Sequence, residues 1–364
     1  MKIAQYTFNG YDNYGQILQK YALHQVLKQY AQQVDVIWSE TNHFWPETWE
    51  WIWRSELLKM SASAEARRKF TFNVVRHSKF KAFCERHIRT RFNITEFEDI
   101  ADEYDYFVVG SDQVWNPFAT HFQQRFLQFA PKHKRISYAA SIAIPTIPPE
   151  WQEFYRQGLL GMAKISVREK DSARVVRELI GLEPLVHIDP AMLLTADQWR
   201  EVSIRPSWFD ERYERGYILS YILRKSVPPI VAEISKRMNL PSVNLLELDV
   251  FNHYTTGIDE FLYLIEHATL ICTNSFHGTV FSILFGRPFV ICNISGDDEG
   301  VKVSSRLTTL LEGFGLLDRQ TNDQNGFRLD NLLEINYVNR DEVLEHERAR
   351  SMSFLDDALK GNQT

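Results

Sequence analysis

The sequence predicts an α/β protein built from two doubly wound, Rossmann-like halves. At the N-terminus, an apolar strand at Ile3–Thr7, an amphipathic helix at Gln16–Tyr30 and a strand at Val34–Trp38 form a βαβ unit, which indicates a parallel sheet. Residues 268–292 repeat this pattern with a strand, a turn, a helix and a strand. Because 364 residues exceed the length of one ordinary domain, we expect a separate sheet in each half.

The composition is that of an ordinary globular protein. Hydrophobic residues make up 44% and charged residues 24%, and the net charge of −6 gives no reason to expect nucleic acid as a partner. The cysteines, Cys84, Cys272 and Cys292, are widely spaced and odd in number, which argues against disulfides and a zinc site. The sequence shows no signal-peptide core and no run of about 18 apolar residues that could span a membrane. We therefore expect a cytoplasmic protein.

The chain divides at a polar, proline-bearing linker at residues 204–215. We expect an N-terminal α/β domain at 1–203, a C-terminal α/β domain at 216–335, and a final helix within 336–364 that packs back across both. The other predicted elements are strands at 104–109, 135–140, 165–169, 217–223 and 243–246, and helices at 149–160, 170–180, 228–238, 307–314 and 342–359.

Residues 42–100 depart from this pattern and predict a helical insertion. It begins with a cluster of tryptophans and continues with a basic sequence of helical pattern. The tryptophans are Trp45, Trp49, Trp51 and Trp53, and the basic residues are Arg67, Arg68, Lys69, Arg76, Lys79 and Lys81. Such a surface could stack sugar rings or make peripheral contact with a membrane. A small helical core with a solvated charged face explains the same pattern, and we prefer that interpretation.

The loop that opens the first helix is a candidate binding segment. Asn13, Tyr14 and Gly15 follow the first strand, and a helix N-terminus at such a position can hold an anion or a sugar. The absence of G-x-G-x-x-G excludes the usual dinucleotide fingerprint. A tight turn needed only for packing is the competing explanation for the glycine.

A polar segment rich in hydrogen-bonding side chains follows the strand at 104–109. Ser111, Asp112 and Gln113 stand where that strand ends, which is where α/β proteins concentrate functional groups. Asp112 could orient or deprotonate a hydroxyl group. An Asx turn beside a packed tryptophan would use the same residues.

Two arginines are candidates for binding an anion. Arg168 stands at the end of a predicted strand, and Arg306 stands at the start of a predicted helix. A guanidinium matches the geometry of carboxylates and phosphates, although either residue could be an ordinary surface arginine. Asp189, which precedes Pro190, is interpreted as a turn or capping residue near the cleft.

The unit at residues 268–292 carries the most specific signal. Asn274 and Ser275 can cap its helix, and the free N–H groups around Gly278 together with the helix dipole favour a phosphate or carboxylate. His277 could donate to that anion or move a proton. A plain capping motif explains these residues equally well on chemical grounds.

Several ordered motifs resemble the polysaccharide pyruvyl transferase family. They are N-Y-G-Q at 13–16, G-S-D-Q-V-W-N at 110–116, S-V-R-E at 166–169, D-P-A-M-L-L at 189–194, N-S-F-H-G at 274–278 and G-R-P at 286–288. The resemblance covers nearly the whole chain apart from the tryptophan-rich insertion. It implies an architecture like that of the GT-B glycosyltransferases, with two halves facing a cleft.

The resemblance also implies an activity, in which a pyruvyl group passes from phosphoenolpyruvate to a sugar diol of an exopolysaccharide or its precursor and forms a ketal. His277 would be the general acid, and Asp112 would act on the acceptor hydroxyl. The residues assigned to phosphoenolpyruvate are Arg168, Arg306, Asn274, Ser275 and Gly278, and those assigned to the acceptor or cleft are Asn13, Tyr14, Gly15, Ser111 and Gln113. No metal or other cofactor is implied, and the acceptor could be nucleotide-linked, lipid-linked or polymeric.

One departure from the family keeps two other functions open. Some members carry an arginine two residues before the histidine, where this sequence has Ser275, so the corresponding anion contact must come from another group. A GT-B-like glycosyltransferase that uses a nucleotide sugar would need a similar helix N-terminus and basic residue. A non-catalytic glycan-binding relative would be consistent with the missing arginine.

Overall fold

The computed structural model describes residues 1–39, 63–119, 121–223, 228–292, 305–320 and 331–360. The four tryptophans at 45–53 lie outside these residues, so their predicted role stays a prediction. None of the described helices is both long enough and apolar enough to cross a membrane.

Two parallel sheets form the framework. The strands are β1 (Lys2–Tyr6), β2 (Gln33–Ser39), β3 (Thr90–Ile94), β4 (Tyr106–Val109), β5 (Arg135–Ala140), β6 (Lys164–Val167), β7 (Leu185–Val186), β8 (Ile218–Tyr221), β9 (Ser242–Asn244), β10 (Leu270–Thr273) and β11 (Phe289–Ile291). The first sheet has the order β3-β2-β1-β4-β5-β6-β7, and the second has the order β11-β10-β8-β9. Every neighbouring pair runs parallel.

Helices follow most strands, as parallel connections require. Those of the described residues are α1 (Tyr14–Leu27), α2 (Ala64–His87), α3 (Pro149–Leu160), α4 (Lys170–Ile180), α5 (Ala196–Arg200), α6 (Glu211–Glu214), α7 (Pro229–Met238), α8 (Phe251–Tyr254), α9 (Ile258–His267), α10 (Phe276–Leu284), α11 (Ser305–Gly313) and α12 (Arg340–Lys360).

Successive strand residues face different cores, so both faces of the first sheet are covered. In β1, Ile3 packs into one buried cluster, whereas Ala4 and Tyr6 pack into another. The first of these clusters also contains Leu219 and Ile271 of the second sheet. The near-continuous apolar runs that predicted these strands follow from burial on both faces.

The order of strands places two switch points at functional positions. In the first sheet, β2 and β3 are added on one side of β1, and β4 and the later strands are added on its other side. In the second sheet, β9 lies on one side of β8, and β10 and β11 lie on the other. Loops that follow strands at such points border a crevice, where α/β proteins bind ligands. The loops after β1, β4 and β10 are those that the sequence predicts to carry the site.

One strand corrects the sequence interpretation of residues 42–100 as helical. Residues 64–87 form α2 as expected, but Thr90–Ile94 form β3, which pairs with β2 at the edge of the first sheet. Polar and half-buried residues make up most of β3, so its sequence lacks the apolar run by which the central strands are recognised.

Candidate active site

Four loops at the carboxyl ends of strands bring the predicted charged residues together. Asp112 follows β4, Arg168 directly follows β6, Asp189 follows β7, and His277 lies in the first turn of α10. Helix α1 packs against both α10 and the short 3-10 helix Pro190–Met192, which joins the two sheets at this edge. The residues therefore meet at the junction of the two halves.

A chain of alternating charges crosses this junction. Asp189 Oδ2 lies 2.7 Å from Arg168 Nη1 and 3.5 Å from His277 Nε2. Asp112 Oδ1 lies 3.3 Å from Arg168 Nη2 and 3.9 Å from Arg306 Nη1. The side chain of Arg168 is 1% exposed, whereas that of Arg306 is 17% exposed. Arg306 is thus the arginine that a small ligand can reach.

The electrostatic surroundings keep both aspartates ionised at neutral pH. Burial alone would raise the pKa of Asp112, but Arg168, then His277 and Arg306, hold it below its usual range. Burial also opposes ionisation of Asp189, whose pKa is nevertheless lowered, first by His277 and then by Arg168. The junction thus contains two fixed negative charges.

The two arginines differ in how well their charge is compensated. Burial alone would lower the pKa of Arg168, but Asp189 and Asp112 raise it above the usual value. The pKa of Arg306 is lowered by burial and by repulsion from Arg168. A bound anion would offset this repulsion. Of the two arginines, Arg306 is therefore the one whose charge an anionic ligand would stabilise more.

Phe276 and Gln113 position the two guanidinium groups. The centroid of the Phe276 ring lies 4.5 Å from Arg168 Cζ and 5.9 Å from Arg306 Cζ. With its amide oriented to satisfy its neighbours, the oxygen of Gln113 accepts hydrogen bonds from Nη1 and Nη2 of Arg306, each at 2.8 Å. The Nε atoms of both arginines are buried and have no hydrogen-bond partner among the described residues.

Helix α1 holds His277 from the opposite direction. A Cβ atom added to Gly15 would lie 2.0 Å from His277 Nδ1 and 2.3 Å from its Cγ. Gly15 therefore allows the imidazole to pack directly on the first turn of α1. The absence of a side chain, rather than a special backbone angle, is what this position requires.

The turn before α10 is a capping structure. Ser275 Oγ accepts a hydrogen bond from the N–H of Gly278 at 3.3 Å, and Asn274 Oδ1 accepts one from the N–H of Leu223 at 2.7 Å. A Cβ atom on Gly278 would lie 2.5 Å from Thr273 Oγ1. These residues fix the turn that presents His277, and any direct contact with a donor stays a prediction.

The residues assigned to the acceptor side are mostly structural in this conformation. Asn13 Oδ1 accepts from the N–H of Gln16 and so caps α1. Tyr14 is fully buried and donates to the carbonyl of Thr256 at 2.7 Å, and buried Ser111 donates to the carbonyl of Ala139 at 2.6 Å. They shape the loops around the junction.

Sequence reasoning undervalued Asp189. Its Oδ1 accepts from the N–H of Ala191 at 3.0 Å, which is the capping role that the sequence predicts. Its Oδ2 faces Arg168 and His277, and this second role depends on the order of strands in the sheet.

No three His, Cys, Asp or Glu side chains of the described residues are grouped so that they could hold a metal ion.

Comparison with known proteins identifies a family and a fold. A family model described as polysaccharide pyruvyl transferase matches residues 13–296. A putative UDP-N-acetylglucosamine 2-epimerase from Listeria monocytogenes is 12% identical, with a TM-score of 0.51 over 100% of this chain and 97% of that one. MnaA of S. aureus, solved with UDP, is 11% identical, with a TM-score of 0.51 over 98% of this chain and 95% of that one.

These structural likenesses show a shared α/β fold of the GT-B-like type. The expected fold class is therefore confirmed. No curated protein matches the chain by sequence.

Proposed function

This chain belongs to the polysaccharide pyruvyl transferase family, and we propose that it moves the pyruvyl group of phosphoenolpyruvate onto a sugar diol to form a pyruvate ketal. The observation that carries the proposal is the meeting of Arg306, Arg168, Asp112 and His277 at one junction. The acceptor is a sugar of a polysaccharide or its precursor. Under this proposal the reaction takes place in the cytoplasm and needs no metal or redox cofactor.

Arg306 is the donor-binding cation in this proposal. Phosphoenolpyruvate carries a carboxylate and a phosphate, and Arg306 is the more exposed and less compensated of the two arginines. The first turn of α10 adds N–H groups and the positive end of a helix dipole beside it. Arg168, which is fixed between Asp112 and Asp189, holds these carboxylates in place.

His277 and Asp112 move the protons. His277 donates a proton to the methylene carbon of phosphoenolpyruvate, and the neighbouring carbon becomes electrophilic. A sugar hydroxyl attacks that carbon while Asp112 accepts the hydroxyl proton. The carbon–oxygen bond to phosphate then breaks, and the second hydroxyl adds to the same carbon to close the ketal while its proton returns to His277. The proton held by Asp112 leaves with inorganic phosphate. Asp189 stabilises the protonated imidazole and fixes its orientation.

Thermal unfolding with phosphoenolpyruvate tests the proposal. A ligand at about 100 times its Kd stabilises the native state by about 2.7 kcal/mol, which shifts the midpoint visibly. We expect this shift in the wild type and its loss in Arg306→Gln. With a suitable acceptor we also expect the wild type to release phosphate, and His277→Ala should lower the rate of that release about 10²–10⁴-fold. The control is Lys170→Gln, which removes an exposed cation that pairs with Glu312 of α11, the helix that also carries Arg306.

A different ligand profile would contradict the proposal. A nucleotide sugar that stabilises the protein where phosphoenolpyruvate does not would indicate a glycosyltransferase. Binding of a glycan without phosphate release from phosphoenolpyruvate would indicate a non-catalytic relative.

A further inference from the structure

A buried arginine beside the proposed active site has no carboxylate partner among the described residues. Arg76 of α2 is 6% exposed. Its guanidinium carbon lies 4.7 Å from the ring centroid of Tyr14, 5.1 Å from that of Phe80 and 5.3 Å from that of Tyr254. Its Nε is buried without a hydrogen-bond partner in the part of the chain that the structure describes.

The polar groups around Arg76 do not neutralise its charge. Tyr254, which interacts with the guanidinium, donates its hydroxyl proton to Asn73 Oδ1 at 2.8 Å. Glu260 is committed to Lys79 at 2.8 Å and to the N–H of Gly257 at 2.7 Å. Aromatic faces attract a cation but replace only part of the hydration that burial removes. An anion would complete this site.

Arg76 stands next to the junction and apart from Arg306. Tyr14, whose ring it covers, directly precedes Gly15, which packs against His277. Its charge also acts on Tyr221, a tyrosine that interacts with the Ser275 cap of α10. Arg306, in contrast, lies against Asp112, Gln113 and Phe276.

We propose that Arg76 binds a phosphate or diphosphate group of the acceptor, so that the enzyme acts on a sugar carried on a phosphate. The planar, forked guanidinium suits this oxyanion. Nucleoside diphosphate sugars and lipid diphosphate sugars share this chemistry, whereas a neutral polymer lacks it. The inference rests on the proposed function for the identity of the acceptor, but the anion site itself can be tested alone.

Isothermal titration with inorganic pyrophosphate tests the site, in the presence of saturating phosphoenolpyruvate to occupy the donor site. We expect wild-type protein to bind pyrophosphate and Arg76→Gln to bind it at least about tenfold more weakly, since a charge-assisted hydrogen bond is lost. Arg76→Lys, which keeps the charge but not the fork, should fall between them. Lys81→Gln removes an exposed cation of the same helix and should bind like the wild type.

Two results would overturn the inference: wild-type protein that does not bind pyrophosphate, or Arg76→Gln that binds it as well as the wild type does. Unfolding midpoints of the variants show whether they are folded. If phosphoenolpyruvate fails to bind, the proposed function is wrong, but the Arg76 site can still be tested. The pyrophosphate titration is then made on Arg306→Gln, in which the proposed donor site has lost its cation. UDP and farnesyl diphosphate, each compared in wild type and Arg76→Gln, distinguish a nucleotide-linked from a lipid-linked acceptor.

Discussion

Asp189 caps the turn after β7 with one carboxylate oxygen and faces Arg168 and His277 with the other. Its side chain is fully buried, so water cannot replace it as a partner. Removing one member of a buried charged group leaves the others uncompensated, which costs more than the group contributes in total. We therefore expect the carboxylate of Asp189 to contribute both to stability and to the orientation of His277.

We predict that Asp189→Asn destabilises the protein by about 3–5 kcal/mol, because the amide keeps the cap and the shape but loses the charge. Turnover should fall as well, since the imidazole loses the carboxylate that holds its protonated form. Urea denaturation and a phosphate-release assay measure the two effects. Asp197→Asn, at an exposed ion pair with Arg200, is the matched control and should change stability by less than about 1 kcal/mol. Equal effects of the two substitutions would contradict this role for Asp189.

Gly15 provides a second test at the residue scale. Alanine is favoured over glycine in a helix by about 1 kcal/mol, but a Cβ here would lie 2.0 Å from His277 Nδ1. Overpacking of this kind costs typically about 1–3 kcal/mol, so we predict that Gly15→Ala is destabilising. It should also lower turnover, because the imidazole must move.

The double variant isolates the contact. In a His277→Ala background the contacts with Nδ1 and Cγ are gone and only the Cβ of residue 277, 2.8 Å away, remains, so Gly15→Ala should be clearly less destabilising than in the wild type. Chemical denaturation of the four proteins gives the coupling energy. Additive effects would show that Gly15 does not pack against the imidazole as the structure places it.

Among the secondary-structure elements, α12 holds the segment that carries Asp189. Arg348 donates to the carbonyls of Met192 at 2.7 Å and Leu194 at 2.9 Å. Ser351 Oγ lies 3.1 Å from Nδ1 of buried His187. Helix α12 thus contacts the chain on both sides of Asp189, although it lies far from Asp189 in the sequence.

We predict that Arg348→Ala lowers kcat more than it raises KM for phosphoenolpyruvate. Under the proposed function, the segment it releases orients His277 through Asp189, whereas the donor is bound by Arg306 on another element. Loss of these hydrogen bonds should also cost about 2 kcal/mol of stability. Steady-state kinetics check the split, with Lys360→Ala at the exposed end of the same helix as the control. A rise in KM at unchanged kcat would exclude the positioning role.

Strands and helices could be predicted from the sequence better than contacts between side chains could. The strands β1 and β10 and the helices that follow them leave clear apolar runs, because both faces of each sheet are covered. The edge strand β3 is half buried and leaves no such run. The contact of Asp189 with His277 depends on how two sheets meet, which no local pattern records. Tyr14 and Ser111 lie in binding-type motifs, yet their hydroxyls are bonded inside the core.

For the whole molecule, the buried carboxylates predict how stability depends on pH. The pKa values of Asp112 and Asp189 are lower in the folded protein than in the unfolded chain. Their contribution is therefore fully present above the unfolded value of about 3.9 and is lost as the pH falls towards the folded values. We expect the stability difference between wild type and Asp189→Asn to persist above about pH 5 and to shrink below pH 4. A difference that already disappears at pH 6 would exclude these carboxylates as its cause.

The core predicts that the two sheets unfold together. One buried cluster contains residues of β1 and β4 from the first sheet, β8 and β10 from the second, and α1, α10 and α12 between them. Phe281 of α10 packs in it, with its ring centroid 5.0 Å from that of Trp199. We therefore expect a single unfolding transition, with tryptophan fluorescence and far-ultraviolet circular dichroism giving the same midpoint. Phe281→Ala, which should cost about 3–5 kcal/mol, should lower that midpoint without splitting the transition. Two separate transitions, or a stable fragment released by cleavage at residues 204–215, would instead show that each half folds alone and that the active site forms only when the halves dock.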